Sequence, residues 1–301
     1  MTVAVIDLGT NTFHLIIAEI SASDCKVLFK INVPVKLGEG RINDNIIIPE
    51  AFERGIIALQ GFKNEIDKYN VGIVKAIATS AIRSAANGQQ FVEIAKESAK
   101  IAITVIDGDQ EADYIYLGVK ATGLIDRCSL IVDIGGGSTE FILCNADGIL
   151  WKKSYNIGAA RLQQAYFKSD PISMNDQEAI SQKLQTELVE LRKVCELYKP
   201  SQLIGSAGAF ESFATMLNQN LDIKSLKSTT IDKTAYQKLS YHLVCSSHKE
   251  RENFEGLIKL RVDMIVIAAL ITDHILEMIK PEKVSVSTYD LKMGVLSSLQ
   301  G

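Results

Sequence analysis

Apolar residues fall along this chain in short runs and amphipathic stretches, and the order of those segments repeats. Residues 3–7 and 13–20 are apolar runs joined by a tight polar loop, and 26–37 reads as a third strand, so an antiparallel meander is expected. A polar loop at 38–45 follows. Pro49-Glu50 then opens a helix to about Tyr69, with proline at a first-turn position where its missing N–H costs nothing. Residues 74–78 predict a buried strand that leads into 79–86, then come a helix near 88–99, a strand at 103–106 and a helix over 109–122. The same order then restarts. Strands are predicted at 129–133, 140–145 and 148–155, helices at 158–167 and 175–198, a strand at 202–206 and a helix at 209–217. Linkers and helices fill 221–226, 233–246 and 247–254. An apolar, buried helix is predicted near 256–278, a last strand at 283–287 and a last helix at 290–299. The β-β-β-α-β-α-β-α order predicts an α/β fold.

With 301 residues the chain is long enough for two domains, each with its own core. The hinge is expected at 122–128, where a helix ends near Gly123. The hydrophobic share of 47% and charged share of 23% describe an ordinary globular balance. A net charge of −4 gives no general attraction for polyanions and argues against DNA, so any phosphate-rich ligand needs a local basic lining. Cys25, Cys128, Cys144, Cys195 and Cys245 are scattered, odd in number and without ligand-like spacing to histidine. They predict reduced thiols in a cytoplasmic protein. The chain enters a strand at once with no basic leader, and its longest apolar stretch, 264–271, is far short of the ~20 residues a membrane span needs.

The repeat carries the chemistry. Val3-Ala-Val-Ile-Asp-Leu-Gly-Thr-Asn-Thr-Phe-His14 and Leu130-Ile-Val-Asp-Ile-Gly-Gly-Gly-Ser-Thr-Glu-Phe141 are each an apolar run, an aspartate, then glycine among small hydroxyl or amide residues. Glycine lets backbone N–H dipoles approach a phosphate chain closely. Gly9, Thr10, Asn11 and Thr12 in one copy, and Gly135, Gly136, Gly137, Ser138 and Thr139 in the other, are candidate phosphate donors. Asp7 and Asp133 end buried strands and offer the oxygen ligands that Mg²⁺ prefers, directly or through water. One Asp-x-Gly turn alone is more often an ordinary hairpin; two alike favour function. No Gly-x-x-x-x-Gly-Lys-Ser/Thr occurs, and no Gly-x-Gly-x-x-Gly opens a helix, so neither a P-loop nor a dinucleotide fold is indicated.

Both segments resemble the phosphate loops of the actin-like ATPase superfamily, and most closely those of the exopolyphosphatase/guanosine pentaphosphate phosphohydrolase family. Ala78-Thr-Ser-Ala-Ile-Arg83, Ile106-Asp-Gly-Asp-Gln-Glu-Ala112 and Ile157-Gly-Ala-Ala-Arg-Leu162 resemble further segments of that family, in order. Ile204-Gly-Ser-Ala-Gly208 and Arg261-Val-Asp263 are weaker echoes. The resemblance implies an α/β fold of two ribonuclease-H-like (actin-like ATPase) domains with the active-site cleft between them. Their expected limits are 1–123 plus about 288–301, and 124–287. It also implies removal of a terminal phosphate from inorganic polyphosphate, or from guanosine pentaphosphate, by metal-assisted attack of water. Mg²⁺, a monovalent cation such as K⁺, and a homodimer come with it.

By the same resemblance Glu111 is the catalytic base, Arg83 neutralises phosphoryl oxygens, and Glu140 supports the metal with Asp7 and Asp133. Read as bare residues, Glu111 is an acid in a helix first turn, Arg83 a surface arginine and Glu140 an outward-facing strand residue. Two departures stand out. Gln110 replaces the first of two family acids, and Asp290-Leu-Lys-Met-Gly294 replaces Gly-Leu-Arg-Glu-Gly. They motivate a competing reading, a non-catalytic regulator that binds nucleotide or polyphosphate. A sugar kinase is a more distant alternative. His14 reads as a satisfied buried histidine, and Cys144 as core.

Overall fold

A computed structural model describes residues 1–22 and 24–300. Ser23 and Gly301 lie outside the described residues, and with Gly301 the last residue of the expected first domain. The chain divides into two compact units, Met1–Gly118 with Leu291–Gly301, and Val119–Asp290.

The first unit contains β1 (Thr2–Leu8), β2 (Thr12–Ile20), β3 (Cys25–Pro34), α1 (Pro49–Lys68), β4 (Ile73–Ala78), α2 (Ser80–Ser84), α3 (Gly88–Ser98), β5 (Ile103–Val105) and most of α4 (Gly108–Lys120). Its sheet runs β3-β2-β1-β4-β5, with β1 antiparallel to β2 and parallel to β4. β1 and β2 are buried along nearly their whole length. That is why they read as continuous apolar runs and not as alternating ones. Leu59 and Phe62 of α1 and Phe91 of α3 pack with Ile6, Leu8, Phe13 and Leu15, and the Phe91 ring stands edge-on to both Phe13 and Phe52.

The second unit restates that plan with β6 (Ser129–Ile134), β7 (Thr139–Cys144), β8 (Ile149–Tyr155), α5 (Ala159–Tyr166), α6 (Met174–Glu187), α7 (Val189–Tyr198), β9 (Gln202–Ser206), α8 (Gly208–Leu217), β10 (Ser228–Ile231), α9 (Lys233–Cys245), α10 (His248–Arg251), α11 (Ile265–Ile279) and β11 (Lys283–Ser287). The sheet order is β10-β11-β9-β6-β7-β8. With β10 set aside, this is the order of the first sheet. The registers agree as well. Leu8 faces Phe13 and Asp7 faces His14 in the first unit; Ile134 faces Thr139 and Asp133 faces Glu140 in the second. No helix among the described residues is long and apolar enough to cross a membrane.

The structure corrects four expected elements. The third strand stops at Pro34, because Val35 and Lys36 turn their amides toward the first glycine loop. The single helix expected at 175–198 breaks at Leu188, whose φ of −93° and ψ of 19° leave the helical region. Ile180, Leu184 and Leu188, and then Leu191 and Cys195, all belong to one core. The helix expected from 256 begins only at Ile265. Gly256 has φ +83°, and a Cβ there would lie 3.0 Å from the Met216 backbone, so a tight turn against α8 occupies that place. Finally, Ser228–Ile231 forms an edge strand, antiparallel to β11, where none was expected.

The last helix, α12 (Leu291–Ser298), returns to the first unit and packs against β1. Gly294 is what allows it to approach α4. A Cβ there would sit 1.7 Å from the Tyr114 carbonyl oxygen, so any side chain must push the two helices apart. Gly294→Ala is expected to cost about 1–3 kcal/mol, the usual range for overpacking. Urea unfolding monitored by circular dichroism checks this, and an unchanged midpoint would contradict the close approach.

Candidate active site

Each glycine loop is closed by the same bond. The Gly9 amide donates to the Thr12 carbonyl at 3.2 Å, and the Gly135 amide donates to the Ser138 carbonyl at 3.0 Å. A Cβ on either glycine would lie 2.9–3.0 Å from that carbonyl oxygen, so the turn excludes larger residues. The loop carbonyls are then tied back to the segment that follows the third strand of each meander. The Asn11 carbonyl accepts from the amides of Val35 (2.9 Å) and Lys36 (2.8 Å), and the Thr10 carbonyl from Gly38 (3.1 Å). In the second unit the start of α5 does this work. Ala159 donates to Gly135 (2.8 Å), Ala160 to Gly136 (2.9 Å) and Gly158 to Gly137 (3.4 Å).

Gly158 must be glycine for this contact, since its Cβ would fall 2.5 Å from backbone atoms of Gly136 and Gly137. The buried Arg161 adds a donor from Nε to the Gly137 carbonyl at 3.0 Å. With these carbonyls engaged, the amides of Gly136, Gly137 and Ser138 have no protein acceptor among the described residues. Such amides are the fixed donors that an anion needs. Thr139 serves differently from the expected phosphate contact. It is fully buried and its hydroxyl donates to the Ile157 carbonyl at 3.2 Å, which fixes the loop from behind.

Glu111 lies in the first turn of α4 and is buried. Arg83, from the last turn of α2, donates from one terminal nitrogen to Glu111 Oε2 at 2.8 Å and to the Ile106 carbonyl at 3.1 Å. Two residues chosen separately from the sequence are thus one ion pair. With that one nitrogen engaged, Nε and the other terminal nitrogen are the donors Arg83 can offer a phosphoryl oxygen. Gln110 has a structural account. Its amide donates to Asp107 Oδ1 at 2.8 Å, and its side-chain oxygen accepts from the Asp107 amide at 3.3 Å. This reciprocal pair is a capping box at the start of α4, a role that Gln and Glu fill alike.

The carboxylates end their strands as expected. Asp133 accepts from Ser206 Oγ at 3.0 Å. Glu140 is 2% exposed and accepts from Ser154 Oγ at 2.7 Å, so the outward-facing alternative is not what the structure has. As directly opposed residues of an antiparallel pair, Asp133 and Glu140 share one face of the sheet. Two charged groups were missed. Lys292 of α12 places Nζ 3.8 Å from Asp7 Oδ2. Arg261 faces Asp133, Glu211 and Asp290; burial pulls its guanidinium below the usual arginine value, and those three carboxylates oppose the pull. The sequence signal for Lys292 was its place in the altered segment at 290–294, and for Arg261 the weak echo at 261–263.

Covalent catalysis by cysteine is not supported. Burial pushes the Cys144 thiol up to about 12, far from the thiolate form at neutral pH. His14 is half-buried, with Nδ1 2.7 Å from Asn32 Oδ1 across the strand pair. No group of three or more His, Cys, Asp or Glu residues that could hold a metal ion occurs among the described residues. Mg²⁺ does not require one, since it takes one or two carboxylates and completes its shell with water and substrate phosphate. Asp133 and Glu140 fit that habit.

The model of the Ppx/GppA phosphatase family matches residues 16–301. An exopolyphosphatase structure from Cytophaga hutchinsonii is 36% identical and covers 100% of this chain and 98% of its own, with a TM-score of 0.96. A PPX-GPPA enzyme structure from Aquifex aeolicus is 27% identical and covers 99% of both chains, with a TM-score of 0.82. A guanosine-5'-triphosphate,3'-diphosphate pyrophosphatase from Pseudoalteromonas translucida is 31% identical over 98% of this chain, which spans 59% of that relative's length.

The capping box makes a clear expectation. Gln110→Glu should leave stability within about 0.5 kcal/mol of the parent, whereas Gln110→Ala should cost about 1 kcal/mol through loss of the side-chain bond to the Asp107 amide. Thermal unfolding of the two variants side by side checks this, and equal losses would remove the capping account.

Proposed function

The chain belongs to the Ppx/GppA phosphatase family, and we propose that it removes the terminal phosphate of inorganic polyphosphate by attack of water, assisted by Mg²⁺. Its two α/β units have the actin-like arrangement of the related structures. The observation that carries the reading is the pair of glycine loops whose carbonyls are tied back, which in the second unit leaves the amides of Gly136, Gly137 and Ser138 as anion donors at the end of β6. Phosphate is assigned to the second loop, with Gly136, Gly137 and Ser138 as its donors. Asp133 and Glu140 are assigned to Mg²⁺, which when bound neutralises charge on phosphoryl oxygens.

Glu111 is assigned to the attacking water. Ion pairing with a guanidinium favours the ionised carboxylate, the form that accepts a proton. Arg83 holds Glu111 through one nitrogen and contributes its remaining donors to the terminal phosphoryl group. Phosphoryl transfer asks mainly for positioning and charge neutralisation, and these residues supply both. The regulator reading loses its motive, since Gln110 caps α4 and the segment at 290–294 keeps a cation beside Asp7 and a glycine against Tyr114. Guanosine pentaphosphate is the second reading, favoured by the Pseudoalteromonas translucida relative.

Phosphate release is to be measured from polyphosphate of defined lengths and from guanosine pentaphosphate, with and without Mg²⁺. Release from polyphosphate that needs Mg²⁺ and falls by about 10²–10⁴-fold in Glu111→Gln is expected. Faster release from guanosine pentaphosphate would select the second reading. Tight binding without release from either would overturn both.

A further inference from the structure

Within the second unit, the segment between α10 and α11 brings Arg261 to the end of β6. Its guanidinium faces Asp133 and lies against the start of α8, where a Cβ on Gly208 would be 3.5 Å from one of its terminal nitrogens. Regular structure does little to hold this segment. It turns at Gly256, makes a single 3₁₀ turn at Lys259–Arg261 and enters α11 only at Ile265. Leu257 and Val262 seat it in the core. A short 3₁₀ turn has poor hydrogen-bond geometry and fixes little by itself.

The backbone of the segment is gripped from outside instead. Arg251 is 2% exposed. It donates from Nε to the Val262 carbonyl at 3.4 Å, from one terminal nitrogen to the Ser246 carbonyl, and from the other to Asp170 Oδ1 at 3.3 Å. One planar fork therefore joins the residue after α9, the turn between α5 and α6, and the Val262 peptide. The next carbonyl, that of Asp263, accepts from Gln163 Nε2 at 2.8 Å, and the Asp263 carboxylate lies 2.9 Å from His248 Nε2. Burying a guanidinium is costly, and an apolar side chain of similar volume often packs as well or better. What arginine adds is a rigid fork whose direction is set by all three acceptors at once.

We propose that Arg251 is a positioning residue: it fixes the Val262 peptide and so holds Arg261 at the end of β6, where the charge of Arg261 meets the phosphate chain. This rests on the phosphatase reading for its substrate. The phosphate chain is charged before the reaction as well as during it. A displaced Arg261 therefore weakens ground state and transition state alike, and the loss falls in KM with kcat kept. A variant that is only less well folded loses active molecules instead, and with them kcat, at an unchanged KM.

Hydrolysis of polyphosphate by variants of the full chain tests this. Arg251→Lys keeps the charge but cannot reach three acceptors. It should raise KM by about fivefold or more and leave kcat within about twofold of the parent. In an Arg261→Met background the same change should move KM by less than about twofold, because the residue through which Arg251 acts is gone. Hydrogen exchange supplies a readout that needs no turnover. The amides of Leu257, Arg261, Val262 and Met264 bond only within the segment or to Phe254, and in Arg251→Lys they should exchange about tenfold faster or more.

An unchanged KM, a loss of kcat alone, a full KM effect that survives in Arg261→Met, or unchanged exchange would each overturn the assignment. If Arg251→Lys does not fold, Asp170→Asn takes its place, at a side chain that is 44% exposed, and the same shifts in KM and exchange are expected. If the parent releases no phosphate, the phosphatase reading fails, and the exchange measurement alone decides whether Arg251 holds the segment.

Discussion

A phosphate chain accepts hydrogen bonds and donates almost none, so a backbone loop can hold it only if the loop shows its amides and hides its carbonyls. The whole site depends on that polarity. Here it is imposed from outside the loops. The residues that follow the third strand of each meander, 35–38 in one unit and 158–160 in the other, donate their own amides to the loop carbonyls. Gly158 is as necessary to this as the glycines of the loop, because only a residue without a Cβ can lie against the backbone of Gly136 and Gly137. A buried arginine, Arg161, completes the arrangement at Gly137. The meander is therefore more than a scaffold: its third strand delivers the segment that sets the direction of the loop dipoles.

The return of α12 to the first unit couples two parts of the site that are far apart in sequence. Through Lys292 the helix meets the aspartate at the end of β1, and through Gly294 it seats α4, whose first turn carries Glu111. Departures from the family pattern that looked like losses become intelligible at this level. The lysine that stands where the family pattern has an arginine meets the aspartate, and the glycine that permits the helix contact is present. Gln110 is likewise a capping residue before it is a missing acid.

Much of this was legible in the sequence, and the reasons are particular. β1, β2, β6 and β7 are buried on both faces, so they print as unbroken apolar runs. The loops announce themselves because the same polar interruption occurs twice. Edge and break features were not legible. Ser228-Thr-Thr-Ile231 is too short to stand out from its surroundings, and the break at Leu188 has no proline or glycine to mark it. Partnerships across the fold were equally hidden. Glu111 and Arg83 were each picked out, but nothing in the local sequence of either reveals that they bond to one another. Thr139 looked like a phosphate donor by its position, whereas the carbonyl of Ile157, which only the folded hairpin brings near, takes its hydroxyl.

The Arg83–Glu111 pair resolves a tension in the assignment of roles. An arginine that neutralises a substrate phosphate and a carboxylate that handles the attacking water would each be unfavourable alone, one as a partly buried cation and the other as a buried anion. Paired at 2.8 Å they compensate one another before any substrate arrives. The geometry spares the rest of the guanidinium, because a single terminal nitrogen serves both Glu111 and the Ile106 carbonyl. The fork is thereby oriented, with two of its nitrogens uncommitted to partners among the described residues. A loose phosphoryl-transfer transition state needs donors held in fixed positions more than it needs a strong base. The pair meets that need with one residue that fixes the other, and the Ile106 carbonyl, at the start of the turn between β5 and α4, ties both to the sheet.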